Sequence, residues 1–344
     1  MNNRHLVLLL LLLLAGVEVL LLSGCGDRDG CQILRIGHNQ STDYPTNIAM
    51  LAFEKFIESK LPDRYDVEVY PSELLGSQTD MVQLTQTGAI TFCVASNAIL
   101  ETFSINYSLF NLPYLFASQQ AFYGAMGDPA VTEPIFGSTK QAGFRAVTWL
   151  DAGTRNFYTV NTPIRMPADL KGLKIRVQQS PTNVQMMNLL GGSATPMGFG
   201  EVYTALQSHV IDGAENNEMT LISKGHGDVC KYYSYNMHQI IPDILIANCA
   251  FLDSLSGNER KIFEEGFKLV NRVQRDAWDR SVDTAVAHAV KKQGVTFIHP
   301  EVKPFRDICL PMHEAMLKKH PNLRPIYGLI QAHNTAKLQN GAVK

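Results

Sequence analysis

The sequence predicts an α/β protein built of two lobes, and three observations carry that expectation. Short apolar runs of strand type alternate with amphipathic helical patterns from Gln32 onward, the signature of a sheet with crossover helices. About 320 of the 344 residues remain once an apolar leader is set aside, enough for two cores of ordinary size. One apolar stripe holds helical spacing from Asn258 to about Gln293, and at 1.5 Å per residue it reaches roughly 50 Å, longer than one lobe needs.

Residues 1–24 read as a signal segment rather than as structure. Arg4 and His5 make a small basic start, residues 6–22 are almost unbroken apolar, and Leu22-Ser23-Gly24-Cys25 looks like a lipoprotein box with Cys25 as the lipidated residue. Glu18 interrupts the run at a cost to insertion, so an uncleaved membrane anchor is the alternative. Both readings place the globular part outside the cytoplasm.

The elements follow in order. Residues 33–37 read as a strand, 46–61 as a helix, 66–70 as a strand, 78–87 as a helix and 90–94 as a strand, so two βα units come first. The apolar run 144–150 and residues 156–160 come next, with Ala152-Gly153 as a turn and a candidate crossing between lobes. Lys174-Ile175-Arg176-Val177 is a short strand; Ser180 caps a helix with Pro181 in its first position, and Gly191-Gly192 stops it. Residues 199–206 begin another amphipathic turn, and Asp212-Gly213 closes the unit. Residues 244–250 read as a buried strand. The long helix carries Phe263, Phe267, Val270, Trp278, Val282 and Ala289 on one stripe; a coiled coil is the alternative, although no strict heptad is kept. A strand at 295–299 and a helix at 304–319 finish the second lobe, and residues after 326 read as a tail.

The blocks GLKIRV, TPMGFGEVYTALQS and IDGAENN, in that order, resemble the solute-binding proteins of tripartite ATP-independent periplasmic (TRAP) transporters, the DctP type. HNQSTDYP, YPSELLGSQTDMVQLTQTGAI, LPYLF and GTRNFYTVN join them, so the resemblance covers roughly the whole mature chain. It implies a periplasmic-binding-protein-like fold with a ligand cleft between lobes and a long helix spanning both. Lobe I is then 32–152 plus 241–280, lobe II 153–240 plus 281–325, and the tail 326–344. The implied partners are a small organic acid and the membrane permease subunits, with no cofactor.

Arg176 is the first candidate for the site. It interrupts an apolar strand just before a turn into a helix, where open α/β sheets place their ligand crevice, and its planar fork of donors matches a carboxylate. The resemblance implies that role for Arg176. It implies a second ligand-facing arginine at Arg155, whose alternative is a hinge salt bridge, and a carboxylate contact from Asn216. Glu215 would orient an arginine or cap a turn. Phe199 matches a pocket aromatic, with a core position as its alternative. In the first lobe His38 and Asn39 follow a strand end, and Gln78, Ser96 and Asn97 hold similar positions. Sialic-acid-binding relatives carry a glutamate near Ser96, which this chain lacks; the polar set suits a polyhydroxy acid, with a hexuronate first and C4 dicarboxylates next. Trp149 offers a wall to a sugar face or sits in the core.

Other functions find little support. Net charge is −2 with Lys and Arg scattered, and no basic stripe points to nucleic acid. GxGxxG after a strand, P-loop, GxSxG and HExxH motifs are all lacking. His313-Glu314 with His320 is too widely spaced for a metal pair on one helix turn. Beyond Cys25, Cys31, Cys93, Cys230, Cys249 and Cys309 form no CxxC and read mostly as free thiols, though export allows one disulfide. An extracytoplasmic enzyme with His38 as base is the rival reading, and sensing through a membrane receptor is a third.

Overall fold

The computed structural model describes residues 30–335. The signal segment and Cys25 lie outside the described residues, as do residues 336–344.

The chain opens with β1 (Gln32–Gly37), α1 (Pro45–Lys60), β2 (Tyr65–Tyr70), α2 (Gln78–Thr87) and β3 (Phe92–Ser96). Pro45 starts α1 without loss of a hydrogen bond, and the helix buries Ala49, Met50, Phe53 and Ile57 on one face. A reciprocal cap starts α2: Ser77 Oγ accepts from the Asp80 amide, and Asp80 accepts from the Ser77 amide. Gly88 ends α2 at φ 80°, a conformation that suits glycine. Helices α3 (Gln119–Met126) and α4 (Pro129–Phe136) lead into β4 (Phe144–Leu150).

The second part begins with β5 (Thr154–Thr159), β6 (Lys174–Val177), α5 (Pro181–Leu189), β7 (Ser193–Pro196), β8 (Gly213–Asn216) and β9 (Tyr232–Ile240). Then come β10 (Asp243–Asn248), α6 (Gly257–His288), β11 (Thr296–Ile298), α7 (Lys303–Cys309), α8 (Pro311–Lys319) and α9 (Arg324–Thr335).

These strands form two sheets, one of five strands in the order β2-β1-β3-β10-β4 and one of six in the order β11-β9-β5-β8-β6-β7. The chain passes between the sheets at residues 151–153 and 241–242 and again along α6, so the five-stranded sheet takes in β10 and the six-stranded sheet gains β11 at its edge. β1 pairs in parallel with β2 and β3, whereas β10 runs antiparallel to β3 and β4. That reversal sets Asp243, the first residue of β10, level with Ser96 at the carboxyl end of β3.

Helix α6 ties the two parts together. Its first half packs Phe263, Phe267 and Val270 into the core around Phe53 and Phe92. Gly266 lets α1 approach, since a Cβ there would stand 2.7 Å from the Phe53 ring. Further along, Gln274 donates to the Asp151 carbonyl (2.7 Å) and accepts from the Asp151 amide (2.9 Å), which anchors the crossing. Trp278 lies so close to Gly153 that a Cβ would come within 2.6 Å of its ring, and Gly153 also takes φ +68°. Ala289, in a π turn that ends the helix, joins the core of the six-stranded sheet. The π turn stops the regular α-helix at His288, short of the expected Gln293.

Two other expectations are corrected. The helix expected over 304–319 is two helices, because Pro311 cannot donate into an ongoing helix and instead starts a new one. The stretch after 326 is no tail through Thr335: α9 buries Ile326 and Ile330 in a core shared with Phe110, Phe122 and Val131. His333 pairs with Asp128, and Asn334 bonds the backbone of Leu115 and Ala117, so the helix is docked by polar contacts too. Cys31, Cys93, Cys230, Cys249 and Cys309 are free thiols.

Candidate functional site

The cleft lies where the carboxyl ends of β3, β6 and β8 meet the start of β10. Arg176, on β6, is 3 % exposed and lines it. Its Nε and Nη2 both donate to the Met197 carbonyl, at 3.2 and 2.9 Å, which fixes the plane of the guanidinium. Nη1 has no partner among the described residues. Burial pulls the Arg176 pKa below its ordinary value, opposed by the charge of Glu215, yet the group stays cationic. Phe199 packs between two cations, with Arg176 Cζ at 5.7 Å and Lys224 Nζ at 5.2 Å from its ring.

Arg155, on β5, also lines the cleft but is spent on protein partners. Nε donates to Glu215 Oε2 at 2.5 Å, Nη2 to the Glu215 carbonyl at 2.8 Å and Nη1 to Asn216 Oδ1 at 3.0 Å. Burial alone would raise the Glu215 carboxyl, but the Arg155 charge and the His238 and Arg155 hydrogen bonds bring it down to about 2. Glu215 thus orients an arginine and is ionised. Asn216 Oδ1 also accepts from the Asn217 amide at 2.9 Å, so its amide nitrogen is the group left for the cleft.

From the five-stranded side, Asn39, Gln78 and Ser96 line the cleft. Gln78 Oε1 accepts from the Ser96 amide at 2.6 Å, which leaves Nε2 as its donor. The Asn39 carbonyl accepts from Lys224 Nζ at 2.6 Å, a contact across the cleft.

Three candidates fall elsewhere. His38 bonds Asn47 Oδ1 through Nε2 (3.1 Å) and accepts from the Gln40 amide at Nδ1 (3.2 Å), so both ring nitrogens are used in shaping the loop. Burial lowers its pKa to about 4, despite the Asn47 bond, and it stays neutral. Asn97 turns inward and donates to the Tyr107 carbonyl (2.8 Å) and Asn111 Oδ1 (2.7 Å). Trp149 packs in the core against Phe122 (5.2 Å) and Tyr123 (5.8 Å).

Sequence reasoning passed over Gln40, Gln178, Asn217 and Asp243, which also line the cleft. Asp243 carries a readable signal, an acid at the head of the apolar run 244–247, but its place beside Ser96 depends on β10 running backward. Burial raises its carboxyl to about 6, with the nearby Arg155 charge opposing. Among the described residues no group of three or more His, Cys, Asp or Glu is placed to hold a metal ion.

Two lobes joined by crossing strands, with an enclosed cleft holding a fixed arginine that has no carboxylate partner among the described residues, define a binding protein for a small acid. The sequence model of bacterial extracellular solute-binding protein family 7, DctP, matches residues 36–320, and the chain belongs to that family: it is a DctP-type TRAP solute-binding protein. A TRAP periplasmic solute-binding protein from Anaerococcus prevotii with bound α/β D-glucuronate is 60% identical, with a TM-score of 0.87 over 89% of this chain and 99% of that one. A second, from Sulfitobacter sp. NAS-14.1 with bound β-D-galacturonate, is 28% identical, with a TM-score of 0.84 over 88% of this chain and 100% of that one. The C4-dicarboxylate-binding periplasmic protein DctP of Rhodobacter capsulatus is 26% identical over 83% of this chain and 87% of its own length.

Proposed function

We propose that this chain captures a hexuronate, D-glucuronate or D-galacturonate, outside the cytoplasm and hands it to a TRAP permease without transforming it. The observation that carries the reading is Arg176, enclosed in the cleft and held flat by Met197, with no ion-pair partner among the described residues. A ligand carboxylate supplies the missing charge, and the relatives that bind hexuronates support a sugar acid as its bearer. Arg155 acts at one remove: it holds Asn216 in place, and the Asn216 amide donates to the same carboxylate. Asn39, Gln78 and Ser96 supply polar groups for the hydroxyls.

Calorimetry with D-glucuronate and D-galacturonate tests this directly. Arg176→Ala is expected to weaken binding by about 2–5 kcal/mol, roughly thirty- to several-thousand-fold, because a desolvated carboxylate loses its cation. Unchanged affinity in the folded variant sinks the assignment, and so does wild-type protein that binds neither sugar acid. For the amino-terminal segment the proposal is a lipid anchor on Cys25, expected to send the wild-type protein, but not Cys25→Ala, into the membrane fraction of an exporting cell.

A further inference from the structure

We infer that Asp243 makes this cleft select a singly charged, hydroxyl-bearing acid over a dicarboxylate. The inference rests on the hexuronate reading above and names what limits it. Asp243 stands level with Ser96 on one side and Leu150 on the other, so β10 delivers a carboxylate to the cleft that Arg176 also lines. Among the described residues its side chain makes no hydrogen bond or ion pair. The nearest cation is committed elsewhere, since Arg155 uses Nε, Nη1 and Nη2 on Glu215 and Asn216.

Asp151, close by, shows what a structural acid looks like here. Its Oδ1 accepts from the Gly153 amide at 2.8 Å, and its Oδ2 accepts from Gln119 at 3.0 Å and from the Tyr123 hydroxyl. Asp243 has none of this, and it is partly accessible from the cleft. An enclosed carboxylate without donors is costly unless a ligand brings them. Sugar hydroxyls are such donors, and each bonds an ionised acceptor more strongly than a neutral one. A second carboxylate in the same place brings no donor and a like charge, so the group that rewards a hexuronate penalises succinate. Arg176 and Asp243, lining one cleft, thus call for a ligand that carries one acid group and hydroxyl donors.

The test is calorimetry of wild type, Asp243→Asn and Asp243→Ala with D-glucuronate, D-galacturonate and succinate, each variant first shown folded by circular dichroism. Wild type is expected to bind a hexuronate and to bind succinate at least about 100-fold more weakly. In Asp243→Asn hexuronate affinity falls about 10- to 100-fold while succinate tightens about 10-fold or more, so the preference collapses. The Ala variant follows the same direction and serves if the Asn variant does not fold. Equal losses for both ligands, or hexuronate affinity within about 3-fold of wild type, overturn the role of Asp243 and leave the hexuronate reading standing. Succinate binding to wild type as tightly as a hexuronate overturns it too. Wild type that binds neither hexuronate removes both readings, a pattern distinct from the others.

Discussion

Two buried arginines line one cleft, and their partners give them opposite roles in stability. Arg155 neutralises Glu215, which is fully buried, so Arg155→Ala strands a carboxylate and is expected to cost about 3–5 kcal/mol of folding stability. Arg176 carries no such partner, and Arg176→Ala is expected to leave the ligand-free melting temperature unchanged or raised. Differential scanning fluorimetry without ligand checks the contrast; equal losses in both variants would reject it. His38 supplies a pH dependence. Its folded pKa, about 4, lies below the ordinary 6.5, so the unfolded chain takes up the proton first. Stability is therefore full above about pH 6.5 and falls by up to about 3 kcal/mol as pH drops through 4. His226, lowered by burial to about 3, acts in the same direction. Asp243, raised to about 6, acts in the opposite one, its contribution being present below about pH 4 and lost as pH rises through 6. Urea titrations at pH 7, 5 and 4 should show a shallower decline in His38→Gln than in wild type; parallel lines would remove His38 from the account.

At the scale of the elements, the crossing of α6 over α1 decides a substitution that propensity alone gets wrong. Gly266→Ala in a helix interior gains about 1 kcal/mol by propensity. Here the added methyl meets the Phe53 ring at 2.7 Å, with Ile57 at 3.4 Å, and overpacking costs about 1–3 kcal/mol. A net loss of stability is expected, and a raised melting temperature for Gly266→Ala would show that the helices can move apart freely. The docking of α9 is tested similarly. Ile330 is fully buried, and Ile330→Asp places an acid among Phe122, Val131 and Ile135. If α9 is part of the folded unit, this variant melts well below wild type, whereas Leu329→Asp, at a position 38% exposed, does not.

For the molecule as a whole, the contacts between the lobes are uneven. On one side a single apolar core joins Phe110, Leu112 and Leu115 to Ile175, Val177 and Met186. Polar bonds reinforce it, with Glu101 accepting from Ser180 Oγ at 2.5 Å and from Thr182 Oγ1 at 2.6 Å. Near Asn39 the Lys224 ammonium donates to the Asn39 carbonyl across the cleft, and Glu73 packs against Gly200. Opening is therefore expected at the Lys224 side, about the crossings at residues 151–153 and 241–242, with the ligand shifting the population toward the closed form. Small-angle scattering should show a smaller radius of gyration with saturating D-glucuronate, and superimposable curves would argue against closure.

The amino-acid order by itself determined the α/β class, the long helix and the motif residues of the family, because these depend on periodicity and on turn chemistry within a few residues. It also located the strand ends. It did not determine direction there: beyond Gly37 the chain bends and at Asn97 a short helix starts, and these turns aim Asn39 and Ser96 at the cleft while His38 and Asn97 turn into the protein. Trp149, on β4, likewise faces the core. Only the tertiary structure decided which arginine is free, since the partner that occupies Arg155 lies 60 residues away. It alone placed Asp243 beside Ser96, because antiparallel pairing of β10 is a property of the assembled sheet. And it alone turned residues 324–335 from a tail into a packed helix, because the surface that buries Ile326 and Ile330 is formed by segments far earlier in the chain.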